Sequence, residues 1–260
     1  MSVPESIASR IINKTGQTDN VGLSGSSVTV YDDCVLKIEP LRPETLVGIK
    51  TMQWLQDRAP VPKILCHEVA DGSSILLMSR MSGKMACDPE YLEQPALLVD
   101  ALAESLRFLW SVDTMGCPRE RTLDALLEEA RYNVTHGLVD LDLVEPETFS
   151  ETGFRDPAHL LDWLLENKVA SEPVLAHGDH CLPNVFLEKG HFRGYIDIGD
   201  MGIGEKWRDI ALCWRSLRDN LRGKYGGKAY NFDPDRLFDA LGITPDWEKM
   251  RYHLLLDELF

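Results

Sequence analysis

The chain has 260 residues, 44% of them hydrophobic, and its 42 acidic against 27 basic side chains leave a net charge of −15. This length is sufficient for one large domain or two lobes with a sizeable core. The acidic balance and the lack of a Lys/Arg cluster argue against binding to nucleic acid, and they agree with a cationic ligand as well as with simple solubility.

Neither a membrane protein nor a secreted protein is indicated. No apolar run is long enough to cross a bilayer, and the N-terminus lacks the basic and apolar regions of a signal peptide. The six cysteines are scattered without a CxxC pair, which argues against a zinc site and against a disulfide framework. We therefore expect a cytoplasmic protein with reduced thiols and no membrane partner.

The first third of the chain has the pattern of strands interrupted by one helix. The helix is predicted from Pro43 to Leu55, because Pro43 suits a first turn and apolar residues follow on one face. Four segments rich in alternating or apolar residues predict strands: 27–31, 34–38, 64–66 and 74–78.

After Ser82-Gly83 the pattern changes to helices, with strong helical periodicity at 97–110, 123–132 and 160–165. A strand-rich beginning and a helix-rich remainder predict an α+β fold of two unequal lobes. We place the small strand-rich N-terminal lobe at residues 1–80 and the larger helical C-terminal lobe at residues 81–260.

The segment with the most chemical content runs from His177-Gly178-Asp179 to Asn184 and continues with Asp197-Ile198-Gly199. H-G-D-x-x-x-x-N and then D-I-G match the protein-kinase pattern H-R-D-x-x-x-x-N and then D-F-G in order and in the spacing from Asp to Asn. A strand-like segment, residues 190–196, lies between the two parts. Phosphoryl transfer requires one carboxylate beside the attacking hydroxyl, and an amide oxygen and a second carboxylate for Mg²⁺. The alternative is a polar turn followed by an ordinary strand. We expect His177 to brace the loop.

Two features of the N-terminal part are compatible with a nucleotide site. Lys37 lies on a predicted strand, where a kinase needs a phosphate-binding lysine, although many strand lysines simply face water. The Gly/Ser-rich segment 22–27, which includes Ser26, is either a loop that covers phosphates or a plain turn. A Walker A motif is absent, which disfavours a P-loop kinase.

The C-terminal helix is predicted to begin with Thr244 as N-cap and Pro245 at its first position. Its other end collects Asp257, Glu258 and the terminal carboxylate of Phe260, where the helix dipole already disfavours anions. Cations are the natural complement of such a cluster. A second acidic stretch, residues 140–151, is either a flap over the same site or a solvated loop.

Cys181 and His180 lie inside the catalytic segment and suggest a Cys/His nucleophile. No third orienting group stands at a recognisable spacing, so we expect neither residue to act in this way.

Six parts of the chain together have the pattern of one family: Leu76–Ser79 with Ser82-Gly83, His177–Asn184, Gly194–Gly199, Asp209–Ala211, Arg215–Leu217 and Pro245–Phe260. Through them the chain resembles the aminoglycoside 3′-phosphotransferases from about residue 20 to its end. This resemblance implies a bilobal fold like that of eukaryotic protein kinases, and transfer of the γ-phosphate of ATP, or GTP, to a hydroxyl of kanamycin- or neomycin-type antibiotics.

The resemblance implies roles for single residues of the reaction centre. Asp179 is similar to the catalytic base of the family, and Asn184 and Asp197 are similar to its Mg²⁺ ligands. Lys37 is similar to the lysine that binds the phosphates.

The resemblance also implies the two ends of the ligand site. The backbone of Ser79 and Met81 would meet the adenine. Four acidic groups would hold the ammonium groups of the acceptor: those of Asp219, Asp257, Glu258 and the carboxylate of Phe260.

The chain departs from the family pattern at two positions. Gly48 stands where the family has a Glu that pairs with the lysine, and Glu44, one turn earlier, is the candidate substitute. Asp200 stands where the family commonly has Arg, which reverses a charge beside the metal site. Two alternatives therefore remain open, a kinase of another small alcohol or amine such as choline, a methylthio-sugar or homoserine, and a silent pseudokinase-like binding module.

Overall fold

A computed structural model describes residues 3–19 and 26–260 of the chain. The helices of this part are α1 (Glu5–Ile11), α2 (Pro43–Leu55), α3 (Pro89–Leu92), α4 (Pro95–Ser111), α5 (Leu123–His136), α6 (Pro157–Glu166), α7 (Lys206–Leu221), α8 (Arg236–Leu241) and α9 (Trp247–Asp257). The strands are β1 (Gln17–Asp19), β2 (Ser27–Val30), β3 (Cys34–Pro40), β4 (Ile64–Ala70), β5 (Ser73–Ser79), β6 (Lys84–Met85), β7 (Glu120–Arg121), β8 (Pro173–Ala176), β9 (Val185–Glu188), β10 (His191–Tyr195) and β11 (Gly202–Glu205).

A five-stranded antiparallel sheet forms the N-terminal part, in the order β1-β2-β3-β5-β4. The four predicted strands correspond to β2, β3, β4 and β5 and are confirmed, with β4 extending further, to Ala70. The predicted helix Pro43–Leu55 is confirmed with the same bounds as α2. Pro43 accounts for the abrupt start, because its fixed φ and missing N–H suit the first helical turn.

Strand β3 lies in the middle of the sheet, and its two faces have different surroundings. Cys34 and Leu36 are buried against Ile7 of α1. Lys37 points to the opposite face, because successive side chains of a strand alternate. Its cross-strand neighbour Leu76 belongs to the core that contains α2 and α4. Lys37 therefore lies on the face of the sheet that is turned towards the rest of the chain.

Helix α4 is the central element of the C-terminal part. Leu98, Leu102, Leu106 and Leu109 recur at helical spacing and are fully buried. The three predicted helices at 97–110, 123–132 and 160–165 are confirmed as α4, α5 and α6, each slightly longer than predicted.

Two three-stranded sheets complete the C-terminal part, in the orders β10-β9-β6 and β7-β11-β8. Their short strands were not predicted, apart from the segment of β10. Strands β6 and β7 have two residues each, which is too short for a period of two to be visible in the sequence.

One hydrophobic cluster joins the N-terminal and C-terminal parts. Ile49, Met52 and Leu55 of α2 pack in the same cluster as Leu102 and Leu106 of α4. Strand β5 ends at Ser79, but the shared core means that the division into lobes 1–80 and 81–260 stays a prediction. Among the helices of the described residues, none combines the length and apolar character needed to cross a membrane.

The start of the last helix differs from the prediction. Helix α9 begins at Trp247, and its N-cap is Asp246, whose carboxylate accepts a hydrogen bond of 3.0 Å from the N–H of Lys249. Thr244 and Pro245 lie before the cap, so their predicted positions are wrong. Asp caps a helix at least as well as Thr, and here it lies in reach of the free N–H groups of the first turn.

Candidate active site

A buried carboxylate anchors the loop of residues 177–184, which is called the catalytic loop below. Asp209 of α7 is fully buried and accepts hydrogen bonds from the backbone N–H of His177, at 2.7 Å, and of Gly178, at 2.9 Å. Burial raises the pKa of Asp209. Gly178 has a φ of +85°, and a Cβ at this position would lie 3.0 Å from the Cβ of Asp200. Only glycine fits this close approach, which explains the H-G-D sequence.

His177 braces the loop, as predicted. Its Nε2 lies 3.0 Å from the carbonyl oxygen of Ile196, and its Nδ1 accepts a hydrogen bond of 3.3 Å from the N–H of Asp179. The first contact ties the loop to the segment that leads into Asp197, and the second fixes the turn within the loop.

The three residues of the motif are brought together by the β9–β10 hairpin. Val185 pairs with Tyr195, so that Asn184 lies opposite Ile196. The N–H of Ile196 donates a hydrogen bond of 2.9 Å to the Asn184 carbonyl. Asn184 is buried, and its Nδ2 donates to both the carboxylate, at 2.8 Å, and the carbonyl, at 3.0 Å, of the exposed Asp179. One carboxylate oxygen of Asp179 is thereby fixed, and the other remains for a ligand.

Asn184 and Asp197 fit the requirements of a magnesium ion. Because the amide nitrogen of Asn184 faces Asp179, its amide oxygen is available as a ligand. Asp197 is exposed and adopts φ +52°, and it immediately precedes the 3₁₀ turn Ile198–Asp200. No group of three or more His, Cys, Asp or Glu side chains suited to a metal occurs among the described residues. Mg²⁺ characteristically takes one or two protein ligands plus phosphate oxygens, so the donor set suits a nucleotide-bound Mg²⁺.

Lys37 has an acidic partner, but it is Glu39 and not Glu44. The Lys37 ammonium lies 3.1 Å from the Glu39 carboxylate, and both side chains are about one quarter exposed, at 23% and 24%. Residues 37 and 39 are two positions apart on one strand and therefore share a face. Glu44 follows the turn into α2 and is exposed. The predicted Lys37–Glu44 pair is therefore absent from this structure.

The two departures from the family pattern, Gly48 and Asp200, are connected through Arg119. A Cβ at Gly48 would lie 3.5 Å from the Arg119 guanidinium, which donates to the Glu44 carbonyl at 2.9 Å. Arg119 also lies 3.4 Å from the Asp200 carboxylate, and Arg121 lies 3.6 Å from the same oxygen. The reversed charge at Asp200 is thus balanced by two arginines that sequence reasoning missed.

The residues expected to meet the adenine lie at the end of β5 and just after it. The N–H of Ser79 donates 2.8 Å to the Lys63 carbonyl, and its hydroxyl accepts from the Lys63 N–H at 2.8 Å. The Met81 side chain lies against Gly194, where an added Cβ would come within 1.9 Å of it. The adenine contacts stay a prediction. Ser26 directly precedes β2, and residues 22–25 of the predicted phosphate loop lie outside the described residues.

The acidic C-terminus is balanced by arginines from α7. Asp257 accepts hydrogen bonds from Arg208, at 2.7 Å, and from Arg215. Arg208 also donates to the Gly178 carbonyl at 3.1 Å, and its guanidinium lies 5.4 Å from the centre of the Phe260 ring. The fold thus already supplies two cations to Asp257, and its role in binding an ammonium group of the acceptor stays a prediction.

Two further residues that were predicted to bind the acceptor also make contacts within the protein. Glu258 is buried, which raises the pKa of its carboxyl, and it accepts 2.9 Å from the N–H of Glu145. Asp219 is 3% exposed and contacts Arg218, at 2.8 Å, and Lys224, at 3.1 Å.

A cavity of about 380 Å³ opens beside these residues, between α7, α9 and the acidic segment 140–151. Of that segment, Glu145 and Glu147 line the cavity, and Asp140, Asp142 and Glu151 are exposed. The remaining lining residues are Thr148, Trp214, Arg215, Arg218, Trp247, Met250, Arg251, Leu254, Leu255 and Glu258. The volume and the charged rim suit a polar small molecule.

Cys181 and His180 have the protonation states of inert residues. Burial raises the pKa of the Cys181 thiol well above its ordinary range, and burial lowers the pKa of His180 to about 3. Within residues 3–19 and 26–260, the His180 ring has one hydrogen-bond partner, the Ser105 hydroxyl at 3.1 Å. At neutral pH, Cys181 is therefore not a thiolate and His180 is not an effective base. This supports the expectation that Cys181 and His180 do not form a nucleophile pair.

Comparison with known proteins places the chain in a family. Residues 17–253 match the phosphotransferase enzyme family. The aminoglycoside 3′-phosphotransferase of Enterococcus faecalis is 41% identical over 211 residues, which cover 80% of this chain and 76% of that relative.

Solved structures have the same fold. The crystal structure of an aminoglycoside-3′-phosphotransferase of type VIII matches with a TM-score of 0.81 and 24% identity, over 98% of this chain and 97% of that one. The aminoglycoside phosphotransferase APH(3″)-Id from Streptomyces rimosus, in complex with ADP and streptomycin, matches with a TM-score of 0.74 and 24% identity, over 92% and 94% of the two chains.

The chain belongs to the phosphotransferase enzyme family and, within it, to the aminoglycoside 3′-phosphotransferases. The family, the α+β kinase-like fold and the enzyme class indicated by the sequence are confirmed.

Proposed function

We propose that the protein transfers the γ-phosphate of ATP to the 3′-hydroxyl of an aminoglycoside antibiotic and thereby confers resistance. The family membership supports this activity. The observation that carries it is the exposed Asp179 carboxylate held at 2.8 Å by Asn184, next to Asp197. These are the base and the metal ligands of phosphoryl transfer in one place.

Asp179 accepts the proton of the attacking hydroxyl. As the acceptor oxygen forms its bond to the γ-phosphorus, the bond from that phosphorus to the ADP oxygen breaks, and ADP leaves with the electron pair. Asn184 holds one oxygen of Asp179, so that the second oxygen faces the acceptor in a fixed orientation. Such positioning supplies most of the rate enhancement in this class of reaction.

Asn184 and Asp197 would hold Mg²⁺, which neutralises the charge of the phosphates as it develops. Lys37 binds the α- and β-phosphates, and Glu39 keeps its ammonium in place. The backbone of Ser79 and Met81 receives the adenine, and Ser26 binds the phosphates as a member of segment 22–27. The ADP complex of the Streptomyces rimosus relative supports a nucleotide as the second ligand.

The acceptor lies in the cavity beside α7 and α9, which Glu258 lines. The carboxylates of Asp219, Asp257 and Phe260 bind further ammonium groups of the acceptor. Asp257 acts partly through Arg208, which connects it to the catalytic loop.

All six cysteines are free, which agrees with our proposal of a cytoplasmic location where ATP is available.

A coupled assay of ADP release tests the proposed function. The protein is supplied with ATP, Mg²⁺ and either kanamycin A or its 3′-deoxy analogue. We expect turnover with kanamycin A and none with the 3′-deoxy analogue. The variants Asn184→Ala and Asp197→Ala should need a higher Mg²⁺ concentration for turnover. Equal turnover with the 3′-deoxy analogue would place the reaction at another hydroxyl. Absence of turnover with every aminoglycoside would overturn the proposal and favour another small alcohol or amine as acceptor.

A further inference from the structure

We propose that Lys224 is a specificity-determining residue whose ammonium group occupies a position in the acceptor site that an ammonium group of the substrate must take. This inference rests on the proposed function and adds to it a competing cation that belongs to the protein itself.

The contacts of Lys224 are those of a bound ammonium ion. Its Nζ lies 2.6 Å from a carboxylate oxygen of Glu145 and 3.1 Å from one of Asp219. The hydrogen bond to Glu145 is the main reason why the pKa of Lys224 is raised, so this side chain is a cation at neutral pH. Two carboxylates that approach one ammonium from different elements form the kind of site that binds an aminoglycoside ammonium.

Lys224 contacts the lining of the cavity assigned to the acceptor. Glu145, which it contacts, lines this cavity, as does Arg218, which shares the Asp219 carboxylate with it. Glu145 also donates from its backbone N–H to Glu258, at 2.9 Å. The lysine thus connects the end of α7 to the loop that closes the cavity.

The position of Lys224 allows it to be displaced. Its side chain is 46% exposed, whereas the Asp219 side chain is only 5% exposed. Lys224 follows Gly223, which has a φ of +75°, and precedes Gly226-Gly227. The anion is therefore held by the fold, and the cation stands on a short glycine-flanked segment at the surface. An incoming cation can replace the ammonium without moving α7.

When an internal group competes for a site, the apparent affinity for the ligand equals the intrinsic affinity multiplied by the fraction of molecules in which the site is free. Acceptors with an ammonium group at this position must break both contacts of Lys224 before they bind. An acceptor with a hydroxyl there offers no charge to replace the two ion pairs of Lys224, so it does not displace the lysine. Removal of Lys224 should therefore improve binding of the more cationic acceptors most.

The test is the Lys224→Met variant, with Lys228→Met as its matched control. Lys228 lies on the same segment, and its ammonium lies 5.3 Å from the centre of the Tyr230 ring. We expect Lys224→Met to lower the KM for kanamycin A by about two- to fivefold, the range of an ion pair at a partly exposed site. The kcat and the KM for ATP should stay unchanged, and Lys228→Met should leave all three constants as they are.

Three outcomes overturn this inference. An increased KM in Lys224→Met, restored in Lys224→Arg, would mean that the lysine holds the loop in its binding position. An unchanged KM in an enzyme that does phosphorylate kanamycin A would mean that the lysine has no influence on the acceptor. Absence of phosphorylation by the unaltered protein would overturn the proposed function and this inference with it. Lys224→Gln, which keeps a polar side chain, repeats the test if Lys224→Met does not fold.

Discussion

Asp179 is the residue whose chemistry the proposed reaction requires most directly. Its carboxylate is exposed, and one oxygen is fixed by Asn184 at 2.8 Å. We predict that Asp179→Asn lowers kcat by about 10²- to 10⁴-fold, the usual contribution of a general base. Binding of Mg²⁺-ADP should stay unchanged, because the substituted amide retains an oxygen that accepts from Asn184. Steady-state kinetics and calorimetric titration measure the two quantities.

The matched control for this variant is Glu188→Gln, an exposed carboxylate of β9 on the hairpin that follows the loop of Asp179. It should leave both kcat and nucleotide affinity unchanged. A kcat in Asp179→Asn close to that of the unaltered protein would exclude Asp179 as the base.

At the scale of elements, α2 and the turn Ile198–Asp200 are joined through Arg119. We predict that Asp200→Arg, which introduces the residue common in the family, lowers the free energy of unfolding by about 1 kcal/mol or more. The new charge would face Arg119 and Arg121 in place of the ion pairs that Asp200 makes with them at 3.4 and 3.6 Å. Urea unfolding followed by tryptophan fluorescence measures the difference.

Asp200→Asn separates loss of attraction from repulsion. It removes the carboxylate without adding a like charge, so its stability should lie between those of the unaltered protein and Asp200→Arg. If Asp200→Arg is as stable as the unaltered protein, the two arginines do not compensate for the reversed charge.

The start of α9 provides a second prediction at this scale. Asp246→Ala should destabilise the protein by about 1 kcal/mol, since the N-cap carboxylate satisfies the N–H of Lys249. Thr244→Ala is the matched control and should have no effect, because Thr244 lies before the cap. Chemical denaturation of the two variants decides between them. An equal loss in both would restore Thr244 as the cap.

At the scale of the whole molecule, two buried histidines make the stability depend on pH. Burial lowers the pKa of His180 and of His253 from 6.5 to about 3. Below pH 6.5 the unfolded chain binds a proton at each histidine, and the folded protein does not. Its stability should therefore fall with pH from about 6.5 downwards, at up to about 1.4 kcal/mol per pH unit for each histidine.

His253→Leu should reduce this pH dependence, because it removes one of the two histidines that titrate. The variant should lose little stability at neutral pH, since the buried Nδ1 of His253 has no hydrogen-bond partner among the described residues. Urea unfolding between pH 7 and pH 5 measures the slope. His191→Gln, at a side chain that is 79% exposed, is the control and should not change it. A slope in His253→Leu equal to that of the unaltered protein would contradict the assignment of this histidine.

Elements with strong local signals were predictable from the sequence. Helix α2 has the predicted bounds because Pro43 suits a first turn and the run Pro60-Val61-Pro62 excludes a longer helix. The spacing from Asp179 to Asn184 and on to Asp197 was also sufficient to predict a phosphoryl-transfer site. One loop and one hairpin carry these residues, so their distances are limited by the short chain between them.

The partner of each charged group was decided only by the tertiary structure. Lys37 contacts Glu39 and not Glu44, and Asp257 contacts Arg208 and Arg215, which precede it by more than forty residues. Such pairs depend on the rotation of α7 and α9 and on the path of the loops between them, neither of which leaves a periodic signal in the sequence. Residue types and spacings therefore determined the chemistry of this protein, while the packing of distant elements determined which charges remain free for a ligand.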